Sequence, residues 1–410
     1  MVRNTVSNPN GKTVHEVLAP IILFGQLFSL MPISNYFQET PEKVRFTFKS
    51  VRWLYSCATM ISIISIIILF LLYVIETKSF GLNTTGTIIY YTVIIIAMIE
   101  FLSLAFNWRR IMVQWTEAER PFLFPPYSER AGLPLESLVK RVAFTVALFA
   151  FIEDTLNFIS AYKLNELHIK YCPHSSDFWY NFFRREHRHI IRIIPYHPVL
   201  GVVIESLMRV AKFTWHYIDV FIICVSLPLQ YRFQQFNDRI ESFDGSEQPR
   251  NVWRQIRLDF LRLHELADFL DVKLSRIILM SCANDMFFIS VQLYNIFNPK
   301  ATLFTTTYYW YSLLFLMSRC FIMLYIASSV NEASLKPLAL LRSFSTSQWN
   351  LDLQRLLDHV CLKSIAFSGK RFFFITRPLI LAMAGTIMTY ELVMLDQVSK
   401  DQDTTKDCNF

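Results

Sequence analysis

Charged residues are scarce in this sequence. Asp, Glu, Lys and Arg make up 18% of the 410 residues and hydrophobic residues 53%, whereas soluble chains average about 25% charged residues. Glycine is also scarce, with nine residues, which argues against collagen-like repeats and glycine-rich phosphate-binding loops. The seven cysteines do not make a disulfide framework in a chain of this length. These shortages exclude an ordinary soluble domain, a disordered chain and a small secreted scaffold.

Signatures of enzymes are missing as well. The sequence contains no G-x-S-x-G, H-E-x-x-H, C-x-x-C or Walker A motif. The run Glu186-His187-Arg188-His189 has the wrong spacing for a pair of zinc ligands on one helix face. We therefore predict no catalytic residues, no metal site and no cofactor.

Long apolar runs dominate the chain instead. A helix needs roughly 20 apolar residues to cross a bilayer, and seven runs qualify: residues 51–75, 88–106, 138–158, 211–230, 277–297, 306–330 and 372–395. An earlier apolar stretch, residues 17–33, is interrupted by Pro20 and predicts a helix that lies on the membrane or dips into it. The predicted fold class is an all-α integral membrane protein with seven transmembrane helices.

Lys and Arg residues indicate the orientation of these spans. They lie mainly before span 1 and after spans 2, 4 and 6, and the positive-inside rule places those segments in the cytosol. The N-terminus is then cytosolic and the C-terminus extracellular. The net charge of +7 reflects this topology, so no nucleic-acid partner is needed to explain it.

Three residues on the predicted outer side are candidates for covalent modification. Asn83 begins the N-x-[ST] motif of the first outer connection and is the candidate glycosylation site. Cys172 and Cys408 both fall outside the predicted membrane, and whether they pair stays open.

The inner connections carry helical patterns. Apolar residues recur at steps of three and four from Val252 to Leu274, with charges largely off that stripe, which predicts an amphipathic helix running into span 5. Residues 338–362 show a patchier version. The predicted organisation along the chain is a cytosolic segment with the membrane-lying helix (1–50), spans 1 to 4 on the side of the ligand pocket (51–230), a cytosolic helical extension (231–276), spans 5 and 6 (277–330), a cytosolic helical segment (331–371), span 7 (372–397) and an extracellular tail (398–410).

Ionisable residues inside the spans are informative because each costs a few kcal/mol at the bilayer centre. Asp285 in span 5 and Arg319 in span 6 lie at similar depth in antiparallel neighbours. Glu100 in span 2 and Arg377 in span 7 both lie nearer the cytosolic end. We predict two buried charge pairs, which either pair statically or hold a closed state and break on activation.

The outer halves of the spans mix carboxylates, amides and aromatic rings. This mixture suits a polyhydroxylated ligand, because carboxylates and amides bond hydroxyl groups while aromatic faces cover C–H surfaces. The alternative is an aromatic belt at the headgroup level with solvated helix ends. The candidate ligand-binding residues are Tyr90, Tyr91, Glu153, Asp154, Asn157, Trp215, His216, Asp219, Tyr308, Trp310 and Tyr311.

Two segments of the chain resemble a known family. Residues 389–397, TYELVMLDQ, resemble the closing motif of insect gustatory receptors, which reads Thr-Tyr, five mostly hydrophobic residues, then Gln-Phe. Residues 15–32 are similar to the segment that opens the sugar-receptor branch of that family. The chain departs from the motif at Asp396, where the family usually has Gln, and at Gln397, where it usually has Phe.

The resemblance implies a tastant-gated cation channel in the plasma membrane. Its expected partners are a sugar or other small tastant, membrane lipid, permeant cations and either identical or related subunits in a tetramer. It further implies a central pore lined by span 7, a pocket in the outer half of each subunit and a cytosolic helical anchor. Because span 7 runs outward, Asp396 and Gln397 lie at its outer end, where carboxylates repeated around the axis concentrate cations. Val393, one turn below, is the candidate hydrophobic constriction.

Two other classes of membrane protein stay open. A G-protein-coupled receptor is disfavoured by the cytosolic N-terminus and by the absence of a D-R-Y-like triplet after span 3 and of N-P-x-x-Y in span 7. A small-solute transporter is the other alternative. The sequence does not identify the tastant.

Overall fold

The computed structural model describes residues 11–130, 134–171, 177–243, 246, 248–297, 302–344 and 349–402, and the side chains of residues 83 and 391–402 are outside that description. Within these ranges the helices are α1 (Val14–Leu27), α2 (Val51–Thr77), α3 (Leu82–Glu119), α4 (Leu135–Tyr171), α5 (Phe178–Glu186), α6 (Arg188–Ile191), α7 (Pro198–Glu241), α8 (Arg250–Tyr294), α9 (Leu303–Arg342), α10 (Leu351–Leu362) and α11 (Arg377–Gln402). Strands β1 (Ile33–Ser34) and β2 (Arg45–Phe46) pair antiparallel. Short 3-10 turns lie at Pro41–Lys43, Arg120–Leu123 and Asn295–Phe297.

Six helices of the described chain, α2, α3, α4, α7, α8 and α9, are long and apolar enough to cross a membrane. They contain the first six predicted spans, except that the fifth runs past the end of α8 into the turn Asn295–Phe297. The helices are longer than the predicted spans because their polar ends continue as helix beyond the apolar run. We call the end of the bundle that carries α5 and α6 the outer end, and the opposite end the inner end.

The seventh predicted span begins too early. Residues 372–376 belong to a turn, in which the Ile375 amide donates to the Phe367 carbonyl over 2.7 Å and the Gly369 amide donates to the Phe373 carbonyl over 3.0 Å. Helix α11 starts at Arg377. The error arises because the turn is apolar, with Ile375 buried and Phe372 and Phe374 exposed, and hydropathy does not distinguish an apolar turn from the start of a membrane helix.

Helix α7 is the centre of the bundle. It packs against α1, α2, α3, α4, α8 and α9, and every side chain from Tyr217 to Leu229 is buried. A helix that is apolar on all sides is expected to be surrounded by other helices. The outer cavity described below and the polar cluster beneath it both use side chains of this helix.

The N-terminal helix α1 packs between α3, α4 and α7. It begins with a capping box, in which Thr13 and Glu16 each bond the other's backbone amide. The Val14 amide donates over 2.9 Å to the buried carboxylate of Glu119, which also forms an ion pair of 2.7 Å with Arg232 of α7. The predicted helix of residues 17–33 is therefore a shorter helix, 14–27, attached to the inner half of the bundle by a buried charge.

Gly25 allows α1 to approach α7 closely. A Cβ atom at this position would lie 2.6 Å from Cζ and Oη of Tyr217, whose hydroxyl donates to the Ile21 carbonyl over 3.1 Å. Because overpacking of this kind costs about 1–3 kcal/mol, we expect Gly25→Ala to lower the thermal unfolding temperature of the detergent-solubilised protein. Gly86→Ala is the matched control, since beyond its own stretch of helix no atom of the described residues lies within 4 Å of its added Cβ. Equal unfolding temperatures for the two variants would contradict this account.

The inner end is built from the first half of α8 together with α10 and the end of α9. The predicted amphipathic stripe is confirmed: Ile256, Phe260 and Leu263 are buried, and α8 continues without a break into the membrane. The patchier pattern over 338–362 is not one helix. Helix α9 ends at Arg342 and α10 begins at Leu351, capped by the side chain of Asn350.

Candidate functional site

A cavity of about 390 Å³ lies at the outer end, between α3, α4, α7, α8 and α9 and beneath α5. Its walls contain polar groups and aromatic rings on facing helices. Seven of the eleven residues predicted from the sequence as ligand-binding line it: Tyr90, Glu153, Asp154, Asn157, Trp215, His216 and Tyr308. The cavity therefore lies where the outer halves of the spans converge.

The other four predicted residues lie elsewhere. Tyr91 is buried with its hydroxyl 3.3 Å from the Met208 sulfur, Trp310 is 45% exposed and the Tyr311 hydroxyl donates to the Phe149 carbonyl over 3.0 Å. Tyr91 follows the cavity residue Tyr90, Trp310 is two positions from Tyr308, and Tyr311 precedes the cavity residue Ser312. Successive residues on a helix point about 100° apart. Asp219 shares a face with Trp215 but lies one turn deeper, below the cavity.

The two adjacent carboxylates of α4 have different surroundings. Asp154 is held by Lys212 at 3.1 Å and by Arg209 at 3.5 Å, so its charge is compensated at the cavity wall. Glu153 accepts a hydrogen bond from the Ser312 hydroxyl and lies 3.2 Å from Nε2 of His216. Glu153 is thus the carboxylate of this pair that has no Lys or Arg partner among the described residues.

Aromatic rings form one side of the cavity. Trp215 lies 4.7 Å from Phe288 and 5.5 Å from Tyr90 between ring centroids, and its indole is parallel to the His216 imidazole within 2°. On the neighbouring helix, Gln292 lines the cavity with its side-chain oxygen unbonded. Hydrogen-bond acceptors therefore stand beside flat apolar faces.

The outer segment between α4 and α7 covers this cavity. The sequence alone did not identify this segment as part of the site. Helix α5 contributes Phe182 and Glu186 to the lining, and His187 follows at its C-terminus. The His187 Nε2 lies 3.2 Å from Glu205 of α7, and Arg185 donates to the Ala161 carbonyl of α4 over 2.6 Å. We call residues 178–191 the lid. The aromatic run 178–183 was the signal available in the sequence.

His189 of the lid makes an acid-dependent prediction. Burial, reinforced by neighbouring His187, lowers the pKa of His189 from 6.5 to about 4. Between these pH values His189 binds a proton in the unfolded lid but not in the folded lid. The stability of the folded lid therefore falls as pH drops from about 6.5 towards 4. We expect His189→Phe, which can keep the packing against Phe70, to remove part of this loss.

The measurement is hydrogen exchange of the lid amides at pH 7 and pH 5, corrected for intrinsic rates. The wild-type lid should lose more protection at pH 5 than the variant does. The same loss in both proteins would show that His189 does not control the lid.

A cluster of charged groups lies directly below the cavity. Arg319 of α9 is 2.7 Å from Asp219 of α7 and 3.6 Å from Asp285 of α8. The structure thus places the predicted partners Asp285 and Arg319 together and adds Asp219, which the sequence analysis had assigned to the ligand. Arg319 also donates to Nδ1 of His216, which links this cluster to the cavity wall.

The prediction that Glu100 and Arg377 form a second buried charge pair is wrong. Glu100 lies 3.4 Å from Arg276 of α8, and Arg377 lies 3.7 Å from Glu332 of α9. Helix α3 packs against α2, α7 and α8, whereas α11 packs against α8 and α9. Equal depth in the bundle does not make two helices neighbours.

Several predicted residues fall outside what the structure describes. Asn83 lies in the first turn of α3, and Val393, Asp396 and Gln397 lie on α11, but their side chains are not described. Cys172 and Cys408 are outside the described residues. Within the described ranges, no group of three or more His, Cys, Asp or Glu residues is arranged to hold a metal ion.

Comparison with known proteins identifies the family. The model of the trehalose receptor family matches residues 5–408. The chain belongs to the trehalose receptor family. It is 32% identical over 388 residues to the Drosophila melanogaster protein "Gustatory receptor for sugar taste 64a", covering 93% of this chain and 84% of that protein. It is 29% identical over 398 residues to "Gustatory receptor 5a for trehalose" of the same organism, covering 96% and 87%.

Solved structures of an insect olfactory receptor have a similar fold. The insect olfactory receptor OR5 from Machilis hrabei superimposes with a TM-score of 0.65 at 15% identity, covering 93% of this chain and 98% of that one. The eugenol complex of the same receptor gives a TM-score of 0.64. The prediction of an all-α, seven-helix membrane fold is confirmed. This member of the trehalose receptor family is a multi-pass membrane receptor and not an enzyme.

Proposed function

We propose that this protein is a sugar-gated, non-selective cation channel of the plasma membrane that works as a tetramer. The observation that carries the proposal is the outer cavity, in which carboxylate and amide acceptors stand beside aromatic faces, in a chain of the trehalose receptor family. Its volume of about 390 Å³ lies within the roughly 300–1,000 Å³ typical of small-molecule sites.

The cavity chemistry suits a sugar. Glu153, Asn157 and Gln292 supply acceptors for hydroxyl hydrogens. Trp215 and Phe288, whose ring centroids are 4.7 Å apart, present apolar surface to the C–H groups of a pyranose or furanose ring. Arg209 and Lys212 supply donors at the outer wall.

The last helix supports the channel part of the proposal. Helix α11 packs against α8 and α9 and leaves Leu381, Met388 and Tyr390 largely exposed. An apolar helix with a face that the rest of the chain does not cover is suited to contact other subunits or to line a pore on a shared symmetry axis. In a fourfold assembly, α11 would place Asp396 and Gln397 around the outer mouth and Val393 one turn below.

The test is calcium imaging of cells that express this chain alone, challenged with a panel of mono- and disaccharides. We expect a response to at least one sugar that persists when G-protein signalling is blocked. A sugar response that disappears under the block favours a G-protein-coupled receptor. Sugar uptake without current favours a transporter.

A further inference from the structure

The charged cluster beneath the cavity contains more negative than positive groups. Asp219, Asp285 and Arg319 are each at most 2% exposed. Arg319 is the one Lys or Arg side chain of the described residues within ion-pair distance of either carboxylate. If both aspartates were ionised, a full negative charge would be left in the interior of the bundle.

His216 does not supply the missing positive charge. Arg319 has only donors, so its bond to Nδ1 of His216 requires that nitrogen to accept. The ring proton is then on Nε2, which lies 3.2 Å from Glu153 and donates to it. The imidazole is therefore neutral, and it joins Glu153 at the cavity floor to Arg319 below.

The two aspartates have unequal surroundings. Asp219 lies 2.7 Å from Nε of Arg319 and accepts a hydrogen bond from the Ser281 hydroxyl, as an ionised carboxylate should. Asp285 is 3.6 Å from Nη2 of Arg319, and its Oδ1 accepts from the Asn284 side-chain amide over 3.5 Å. Oδ2 of each aspartate is buried without a hydrogen-bond partner. The neighbouring Asn284 side chain, 4% exposed, also has an unbonded oxygen. Asp219 is thus the carboxylate that the guanidinium approaches directly, and Asp285 is left with the more distant contact.

We propose that Asp285 is a buried proton-binding site, with a neutral carboxyl group, and that Asp219 is the ionised partner of Arg319. A proton on Asp285 removes the excess negative charge of two aspartates around one arginine. A buried carboxylate without a matching cation is strongly destabilising, whereas a neutral carboxyl group needs only hydrogen bonds. Arg319 then positions His216, and through it Glu153, at the cavity floor. This assignment is independent of the sugar and channel proposals.

Paired substitutions distinguish the two aspartates. Asp285→Asn mimics the protonated group, so we expect surface density and unfolding temperature near those of wild type. Asp219→Asn leaves Arg319 without its nearest anionic partner, and Arg319→Gln leaves Asp219 without a cationic partner. Each variant should therefore lower surface density several-fold. Asp219→Asn with Arg319→Gln should recover because no charge remains, whereas Asp285→Asn with Arg319→Gln should not. Equal damage from Asp219→Asn and Asp285→Asn would overturn the assignment.

Two further measurements identify the occupant. Infrared spectra of the purified protein at neutral pH should contain the C=O stretch of a protonated carboxylic acid that Asp285→Asn removes. Unfolding temperatures in sodium and in N-methylglucamine chloride should be the same. An absent C=O signal, or a sodium-dependent stabilisation that Asp285→Asn abolishes, would contradict a bound proton, the second by showing a bound metal cation instead.

Discussion

Glu153→Gln is expected to raise the sugar concentration for half-maximal response by roughly 10- to 150-fold, since a hydrogen bond to a charged group is worth about 1.5–3 kcal/mol. Glutamine keeps the size of the side chain and still accepts from Ser312, which bonds Glu153 in the structure. Packing should therefore be kept, and the loss falls on the hydrogen bonds of the carboxylate to the ligand and to Nε2 of His216. The measurement is a dose–response curve with surface density determined in parallel.

Trp215→Ala tests the apolar half of the same site and should also shift the curve to higher concentration. Its matched control is Trp310→Ala, because Trp310 is the same residue type at the outer end, is 45% exposed and does not line the cavity. We expect the control curve to overlay that of wild type. Unchanged curves for both Glu153→Gln and Trp215→Ala would show that the sugar binds elsewhere.

Asp396→Lys is expected to nearly abolish sugar-evoked current at normal surface density. Four lysines around the outer mouth of a tetramer would repel the cations that four carboxylates concentrate. Asp396→Asn should have a smaller effect, lowering conductance or divalent permeability. The measurement is whole-cell recording with sugar, including reversal potentials.

Asp401→Lys controls for added charge on the same helix. Residue 401 lies on α11, and five residues of an ideal helix separate positions 396 and 401 by about 140°, so the two positions are on different faces. Wild-type conductance and reversal potential in Asp396→Lys would exclude the carboxylate ring, and equal loss in both lysine variants would assign the effect to charge in general.

Much of the fold follows from hydropathy. The apolar runs predict the membrane helices because the requirement for about 20 apolar residues leaves few alternatives. The start of span 7 escapes this argument, since Ile375 is buried by protein and hydropathy does not distinguish protein from lipid surroundings.

The cavity is predicted only in part. Glu153 and Trp215 are recognisable as candidates in the sequence, because polar and aromatic side chains within a membrane span indicate a structural or functional role. Trp310 looks equally suitable in the sequence, but its direction depends on how α9 is rotated in the bundle. The lid residue His187 cannot be assigned to the site from the sequence, since its contact with Glu205 depends on how the segment between α4 and α7 folds back over the bundle.

The buried cluster shows the same limit in another form. Depth along antiparallel helices suggests that Asp285 and Arg319 are at one level, and they are 3.6 Å apart. The rotation of α7 that brings Asp219 closer, at 2.7 Å, has no signature in the sequence. Helix packing therefore decides whether Asp219 or Asp285 lies closer to Arg319.

The most direct test of a sugar-gated channel is electrical recording from the purified protein in lipid bilayers without any other protein. Addition of an active sugar on the side of the lid should open a cation-selective conductance that is reduced by Glu153→Gln. A bilayer that stays silent, although the same preparation binds the sugar, would contradict the account.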